Sequence, residues 1–294
     1  MNRRQFLGLG TMAAGLPVLA TLSGCTTNQL LGAANLVENG DVPVVELAYG
    51  AGGRQRCDVY RPLDAAGKPL AGSLPVVVFV HGGSWMSGDK YLYRWVGQAL
   101  AQQGFVAVLA NYGLMPTVRF PDFANDVATA VAFAHTHAAE WGGDPGRLFL
   151  MGHSAGAHLT ALAAYDGRYL ARHSLTPAII AGYIGLSGPY DFQLNTPLLK
   201  GTFAGSAERE RDAQPVNFVT AAAPRSLLIM GRDDTTVNPH NTRSLAARMR
   251  EVGASVEEMW VDGDHGVTVG AFARIYRSKS PIVARVAEFV RQAS

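Results

Sequence analysis

The stretch Arg147-Leu148-Phe149-Leu150-Met151-Gly152-His153-Ser154-Ala155-Gly156-Ala157-His158-Leu159 decides the reading of this chain. Residues 147–151 are an apolar run of the kind expected of a strand buried on both faces, where polar alternation is lost. From Ala155 onward the pattern is helical. Between the two sits Gly152-His153-Ser154-Ala155-Gly156, a Gly-x-Ser-x-Gly pentapeptide in the strand-then-helix setting that gives the motif its meaning. The serine must occupy a sharp turn, and the flanking glycines leave room for tight backbone. The helix amino terminus directs partial positive charge at the reacting centre. Ser154 is therefore read as a nucleophile.

Working outward, strand signals recur at 44–49, 56–60, 75–80, 105–110, 178–186, 226–230 and 256–261, eight strands in all with 147–151. Helical segments fall between them at about 91–103, 122–139, 155–164, 240–252 and 281–292. This alternation predicts an α/β fold with a mostly parallel eight-stranded sheet, right-handed crossovers and helices on its faces. Residues 188–216 break the rhythm with Gly188-Pro189, Pro197, Gly201, Gly205 and Pro215, and read as an irregular insertion forming a small partial lid over one sheet edge. No internal repeat or low-complexity tract is present.

A serine hydroxyl needs a base to accept its proton and a carboxylate to orient that base. After this type of turn, acid and base follow in that order, each behind a later strand. Of the eight histidines, only His240 and His265 lie beyond the later acidic loop. His240 opens the helix behind Asn238-Pro239, whereas His265 in Asp262-Gly263-Asp264-His265-Gly266 directly follows the last strand and is the candidate base. The acid lies in Gly231-Arg232-Asp233-Asp234-Thr235-Thr236-Val237, where spacing alone does not choose between Asp233 and Asp234. Val80-His81-Gly82-Gly83-Ser84-Trp85 ends an apolar strand in two glycines, which let backbone amides approach a substrate oxygen. Gly82, Gly83, Ser84 and Ala155 are the candidate oxyanion hole. His81 is expected to orient that loop, and His153 and His158 to pack or hydrogen-bond beside the nucleophile. His135 and His137 lie on different faces of a helix, which argues against a shared metal. Asp122 and Asp126 read as surface or loop-bracing residues.

The 294 residues, 48% apolar and 16% charged, fit a globular chain of one large or two small domains. Lys plus Arg is 25 against 23 for Asp plus Glu, without like-charge runs, so no nucleic-acid partner is expected. Two cysteines, Cys25 and Cys57, exclude a disulfide framework and a four-cysteine zinc site. Cys57 reads as a buried, inert strand residue.

Arg3-Arg4-Gln5-Phe6-Leu7 begins an apolar stretch that falls short of the roughly 20 residues of a membrane helix. Residues 1–24 read as an export signal, and the arginine pair resembles the twin-arginine type. Leu22-Ser23-Gly24-Cys25 resembles the lipobox of bacterial lipoproteins, which implies lipidation at Cys25, a tether over 25–43 and membrane anchorage facing the periplasm or cell surface. A chain starting at Cys25 would hold 23 basic and 23 acidic residues, so charge would not hold it at a membrane.

His81-Gly82-Gly83-Ser84-Trp85, Gly142-Gly143-Asp144-Pro145 ahead of Arg147, and Gly152-His153-Ser154-Ala155-Gly156-Ala157-His158-Leu159 resemble the α/β-hydrolase carboxylesterases with an HGGxW oxyanion motif. That group resembles hormone-sensitive-lipase-type esterases, isoprenylcysteine methylesterases and kynurenine formamidases. The resemblance runs from about residue 44 to 290. It implies the α/β-hydrolase fold and a Ser154/Asp234/His265 acyl hydrolase acting on a small-molecule ester without metal or cofactor. Asp234 follows from the family's Gly-x-x-Asp-x-x-Val pattern. Two departures stand out: Asn111-Tyr112-Gly113 replaces a common Asp-Tyr-Arg, implying loss of an acid–arginine contact, and Ser84 replaces a third glycine. Alternatives within the resemblance and beyond it are an arylformamidase-type amidase and a non-catalytic lipoprotein on the same fold.

Overall fold

Val76, Val78 and Val80 pack with one set of core residues, Val77 and Phe79 with another, and all five are buried. A strand whose two faces both meet apolar layers must lie inside a sheet covered on each side. The computed structural model, which describes residues 42–292 together with Gly32, Ala34, Asn35 and Glu38, has that architecture. Strands β1 (Val44–Ala48), β2 (Arg56–Tyr60), β3 (Leu74–Val80), β4 (Val106–Ala110), β5 (Gly143–His153), β6 (Ile180–Leu186), β7 (Ser226–Gly231) and β8 (Val256–Val261) form one sheet in the order β1-β2-β4-β3-β5-β6-β7-β8. The β1/β2 and β2/β4 pairs are antiparallel and the rest parallel.

Ten α-helices are described: α1 (Arg94–Gln102), α2 (Asp122–His137), α3 (Ala155–Tyr165), α4 (Gly167–Ala171), α5 (Pro197–Phe203), α6 (Ala207–Asp212), α7 (His240–Glu251), α8 (Val267–Gly270), α9 (Arg274–Arg277) and α10 (Ile282–Arg291). Helices α2, α3 and α7 cover one face of the sheet, and α1 and α10 the other. Because β3 and β5–β8 run parallel, their carboxyl ends share one edge, where ligands bind in open α/β sheets.

Residues 188–216 are more regular than the sequence suggests. Thr196 caps α5, its side chain accepting from Leu199 N, with Pro197 at the first helical position, and Ser206 caps α6 by accepting from Arg209 N. The prolines and glycines that read as irregularity punctuate short helices. Rather than covering one sheet edge alone, the segment brings Phe192 and Phe203 against Trp85 and His158.

The export signal and Cys25 lie outside the described residues. Within the expected tether, Glu38 pairs with Arg277 at 2.9 Å, Asn35 Nδ2 donates to Tyr91 O at 2.6 Å, and Gln98 Nε2 donates to Val42 O at 3.0 Å. That stretch thus contacts the domain. Among the described residues no helix is long and apolar enough to cross a membrane. Cys57 is fully buried in β2, and burial pushes its thiol up to about 12.

Candidate active site

Ser154 sits between β5 and α3 with φ 54° and ψ −123°, a strained conformation for a residue with a side chain. The neighbouring glycines act differently. A Cβ on Gly152 would lie 2.4 Å from Gly156 O, so this glycine lets α3 fold back beside the strand end. A Cβ on Gly156 would lie 2.1 Å from Val80 O and 2.5 Å from His81 O, so that glycine lets α3 press against the end of β3. Gly82 in turn approaches the nucleophile, since its Cβ would be 3.1 Å from Ser154 Cβ.

The loops after β7 and β8 bring acid and base together. A Cβ on Gly231 would lie 2.5 Å from Asp264 O, so the loops meet only because that residue is glycine. His265 Nδ1 donates to Asp234 Oδ2 at 2.8 Å, while Asp234 Oδ1 accepts from Thr236 N at 2.9 Å and Val237 N at 2.8 Å. The Asp234 side chain is sealed from solvent and Asp233 is exposed. Burial works to raise the Asp234 pKa, but the His265 contact and the two amides outweigh it and hold the carboxyl below its usual range. With Nδ1 engaged, Nε2 is the nitrogen left to accept a proton.

His153 braces the base. Its Nε2 donates to the His265 carbonyl at 3.2 Å and the two rings are 4.8 Å apart. Burial, reinforced by the His265 charge, pushes His153 down to about 3, so it stays neutral.

The loop after β3 carries unusual backbone. Gly83 has φ 126°, and a Cβ there would lie 2.1 Å from Ser87 O; Ser84 and Trp85 follow at φ 54° and 59°. The Gly83 carbonyl accepts from Met86 N and Ser87 N, each at 3.0 Å. Among the described residues the amides of Gly83, Ser84 and Ala155 have no protein acceptor. His81 lies beneath, fully buried, with Nδ1 donating to Gly82 O at 2.7 Å and its ring stacked on Tyr112 at 4.7 Å. Burial pushes it down to about 4.

Sequence reasoning missed how this loop is braced. The acid–arginine contact absent from Asn111-Tyr112-Gly113 is supplied from the β1–β2 turn. Arg54 donates to Tyr112 O at 2.8 Å and Gly88 O at 2.9 Å and pairs with Asp89 at 3.4 Å, and Asn111 Nδ2 donates to the same Asp89 at 2.7 Å. Asp126 braces the chain by accepting from Gly113 N at 2.8 Å and Gln55 Nε2 at 2.7 Å, whereas Asp122 stays at the surface. His137 pairs with Glu140 at 2.8 Å, and among the described residues no cluster of three metal-ligating side chains occurs.

A serine on a strand-to-helix turn, an acid and a histidine after later strands, and a glycine loop beside them define an α/β-hydrolase. Residues 57–249 match the BD-FAE family model, and the chain belongs to that family. It is 33% identical over 225 residues to Esterase LipC of Mycobacterium tuberculosis, covering 70% of this chain and 55% of that protein. It is 29% identical over 239 residues to a probable isoprenylcysteine alpha-carbonyl methylesterase of Arabidopsis thaliana, covering 74% and 49%. The chain thus spans about half the length of these relatives. Among solved structures, an esterase from Rhizomucor miehei superposes with a TM-score of 0.74 at 21% identity, covering 92% of this chain and 91% of that one. A bacterial heroin esterase gives 0.72 at 23%, covering 91% and 90%. These likenesses are of fold.

Proposed function

We propose that the protein is a serine carboxylic ester hydrolase working through an acyl-enzyme. Ser154 Oγ attacks the acyl carbonyl while His265 Nε2 takes its proton, and Asp234 holds the imidazole tautomer and balances the imidazolium. The amides of Gly83, Ser84 and Ala155, in a loop that Gly82 keeps close to the serine, receive the oxyanion. His265 then returns its proton to the leaving alcohol, and water, activated by the same histidine, frees the acid. The observation that carries this reading is the 2.8 Å bond from His265 to buried Asp234, on loops that open at the same sheet edge as Ser154. The names of these two relatives, both esterases, support an ester over an amide.

A fluorophosphonate probe should label the wild type stoichiometrically and leave Ser154→Ala unlabelled. Esters of increasing acyl length should be hydrolysed, and an aryl formamide should not. Absence of labelling would return the chain to a non-catalytic role, and preference for the formamide would make it an amidase. The lipobox-like Leu22-Ser23-Gly24-Cys25 supports export and anchorage through a lipid on Cys25, and more than one acyl chain is needed for firm retention. Wild-type cells should incorporate labelled palmitate into the protein and Cys25→Ser cells should not; equal labelling would remove the anchor.

A further inference from the structure

Ser84 and Trp85 both hold positive φ, 54° and 59°, and neither is glycine. Such backbone is strained for residues with side chains and persists only where the surroundings over-determine it. Here the fixing contacts converge on the indole. Trp85 Nε1 donates to His158 Nδ1 at 3.3 Å, and His158 Nε2 donates to Ala213 O at 2.8 Å. Both ring nitrogens of His158 are therefore used, in one tautomer. The Trp85 carbonyl accepts from Met115 N at 2.9 Å. Trp85 is 4% exposed and His158 not at all, and the indole stands edge-on to His158 at 5.3 Å and to Phe203 at 4.8 Å.

The three ends of this chain of bonds matter. Trp85 adjoins Ser84, whose amide is a proposed oxyanion donor. His158 sits one turn beyond Ser154, its own amide donating to Ser154 O at 3.1 Å. Ala213 is the C-cap of α6, and the side-chain amide of the adjoining Gln214 clips the Phe192 backbone, Oε1 accepting from Phe192 N at 2.9 Å and Nε2 donating to Phe192 O at 3.0 Å. Oxyanion loop, nucleophile helix and insertion are thus joined through two side chains.

We propose that Trp85 and His158 are positioning residues for the oxyanion hole: the Trp85–His158–Ala213 relay holds the strained Gly83–Ser84 turn with its amides toward Ser154 and ties that placement to the 188–216 insertion. The proposal rests on the serine-esterase reading. Burial pushes His158 down to about 4, so the lone pair that Trp85 requires is present throughout the neutral range.

The test separates the hydrogen bond from the bulk of the ring. Benzothienylalanine at position 85 keeps the shape of tryptophan and removes only the N–H; Trp85→Phe removes both the N–H and some bulk. Each should lower kcat about 10- to 100-fold, less than the roughly 10²- to 10³-fold lost when an oxyanion donor is removed outright, with KM within about twofold. Affinity for a trifluoromethyl ketone, which places an oxyanion in the hole, should fall in parallel. A packing role alone would lower Tm and leave kcat of the folded enzyme unchanged. Combining Trp85→Phe with His158→Gln should cost no more kcat than the worse single change, because one device is lost in either case. Wild-type kcat and analogue affinity with benzothienylalanine, or additive losses in the double variant, would overturn the relay. Fluorophosphonate labelling of the wild type is scored separately, so failure of the esterase reading is distinguishable from failure of the relay.

Discussion

One backbone step separates exposed Asp233 from Asp234, whose carboxylate is shielded from solvent and bonded to His265. The amides of Thr236 and Val237 close on the other Asp234 oxygen, so its geometry is set by the loop as well as by the histidine. Asp234→Asn keeps this shape but presents an amide that favours the wrong imidazole tautomer, a change that costs about 10⁴-fold in turnover in the serine-protease template. Asp233→Asn alters only an exposed side chain and should cost less than about tenfold. The comparison is kcat on one activated ester with folding checked for both variants. A larger loss at Asp233 would reverse the assignment, and small losses at both would move the role to Asp262 or Asp264. The sequence narrowed the acid to two neighbours because strand order and loop position are local properties. It could not choose between them on spacing, since which carboxylate turns inward depends on the meeting of two loops 31 residues apart.

At the scale of elements, most strands were legible to within two residues, although β5 begins four residues ahead of the expected 147, at Gly143. Runs such as Val76-Val77-Val78-Phe79-Val80 have no polar position to confuse the reading, and the boundaries of β2 and β8 coincide with the expected ones. The insertion was not legible as helices because α5 and α6 have seven and six residues, too short for periodicity to show. The Trp85–His158 contact was hidden for a different reason: it joins residues 73 apart, and nothing local marks it. Glycine positions offer a test of this element-level packing. Gly156→Ala would place a methyl 2.1 Å from Val80 O, backbone that cannot swing away, so α3 must move off β3. A loss of about 1–3 kcal/mol, the cost of overpacking, should accompany loss of the proposed esterase activity. Gly201→Ala in α5 meets nothing within 4 Å and should stabilise by about 0.4–1 kcal/mol with activity retained. Urea unfolding of both variants decides the matter; similar midpoints would mean that the α3–β3 approach is looser than described.

Across the whole molecule, three of the eight histidines are buried without a carboxylate partner, and all three surround the site. His81 lies under the oxyanion loop near Arg54 and Asp89, His153 against His265 and Asp234, and His158 between Trp85 and the Ala213 carbonyl. Burial dominates each, pushing them to about 4, about 3 and about 4 from a usual 6.5. The consequence is a linkage between acid and folding. Between pH 6.5 and 4 the unfolded chain protonates these imidazoles while the native protein does not, so the unfolded state binds more protons and stability falls as pH falls. Their contribution is complete above pH 6.5, and each costs about 1.4 kcal/mol per pH unit below it until its folded-state value is reached. Most carboxylates titrate lower, so the interval from pH 6 to 5 is dominated by these rings, with a further contribution from half-buried His173, which burial and Arg172 also push down. Urea unfolding there should show stability declining with a slope equivalent to nearly three protons taken up on unfolding. Replacing one of the three by a neutral residue that keeps the fold, such as His153→Asn, should lower that slope by about one proton. A flat profile from pH 6 to 5 would mean that all three of these rings are protonated in the folded protein, and the neutral His158 on which the Trp85 relay depends would then have to be re-examined directly by the titration of its ring resonances.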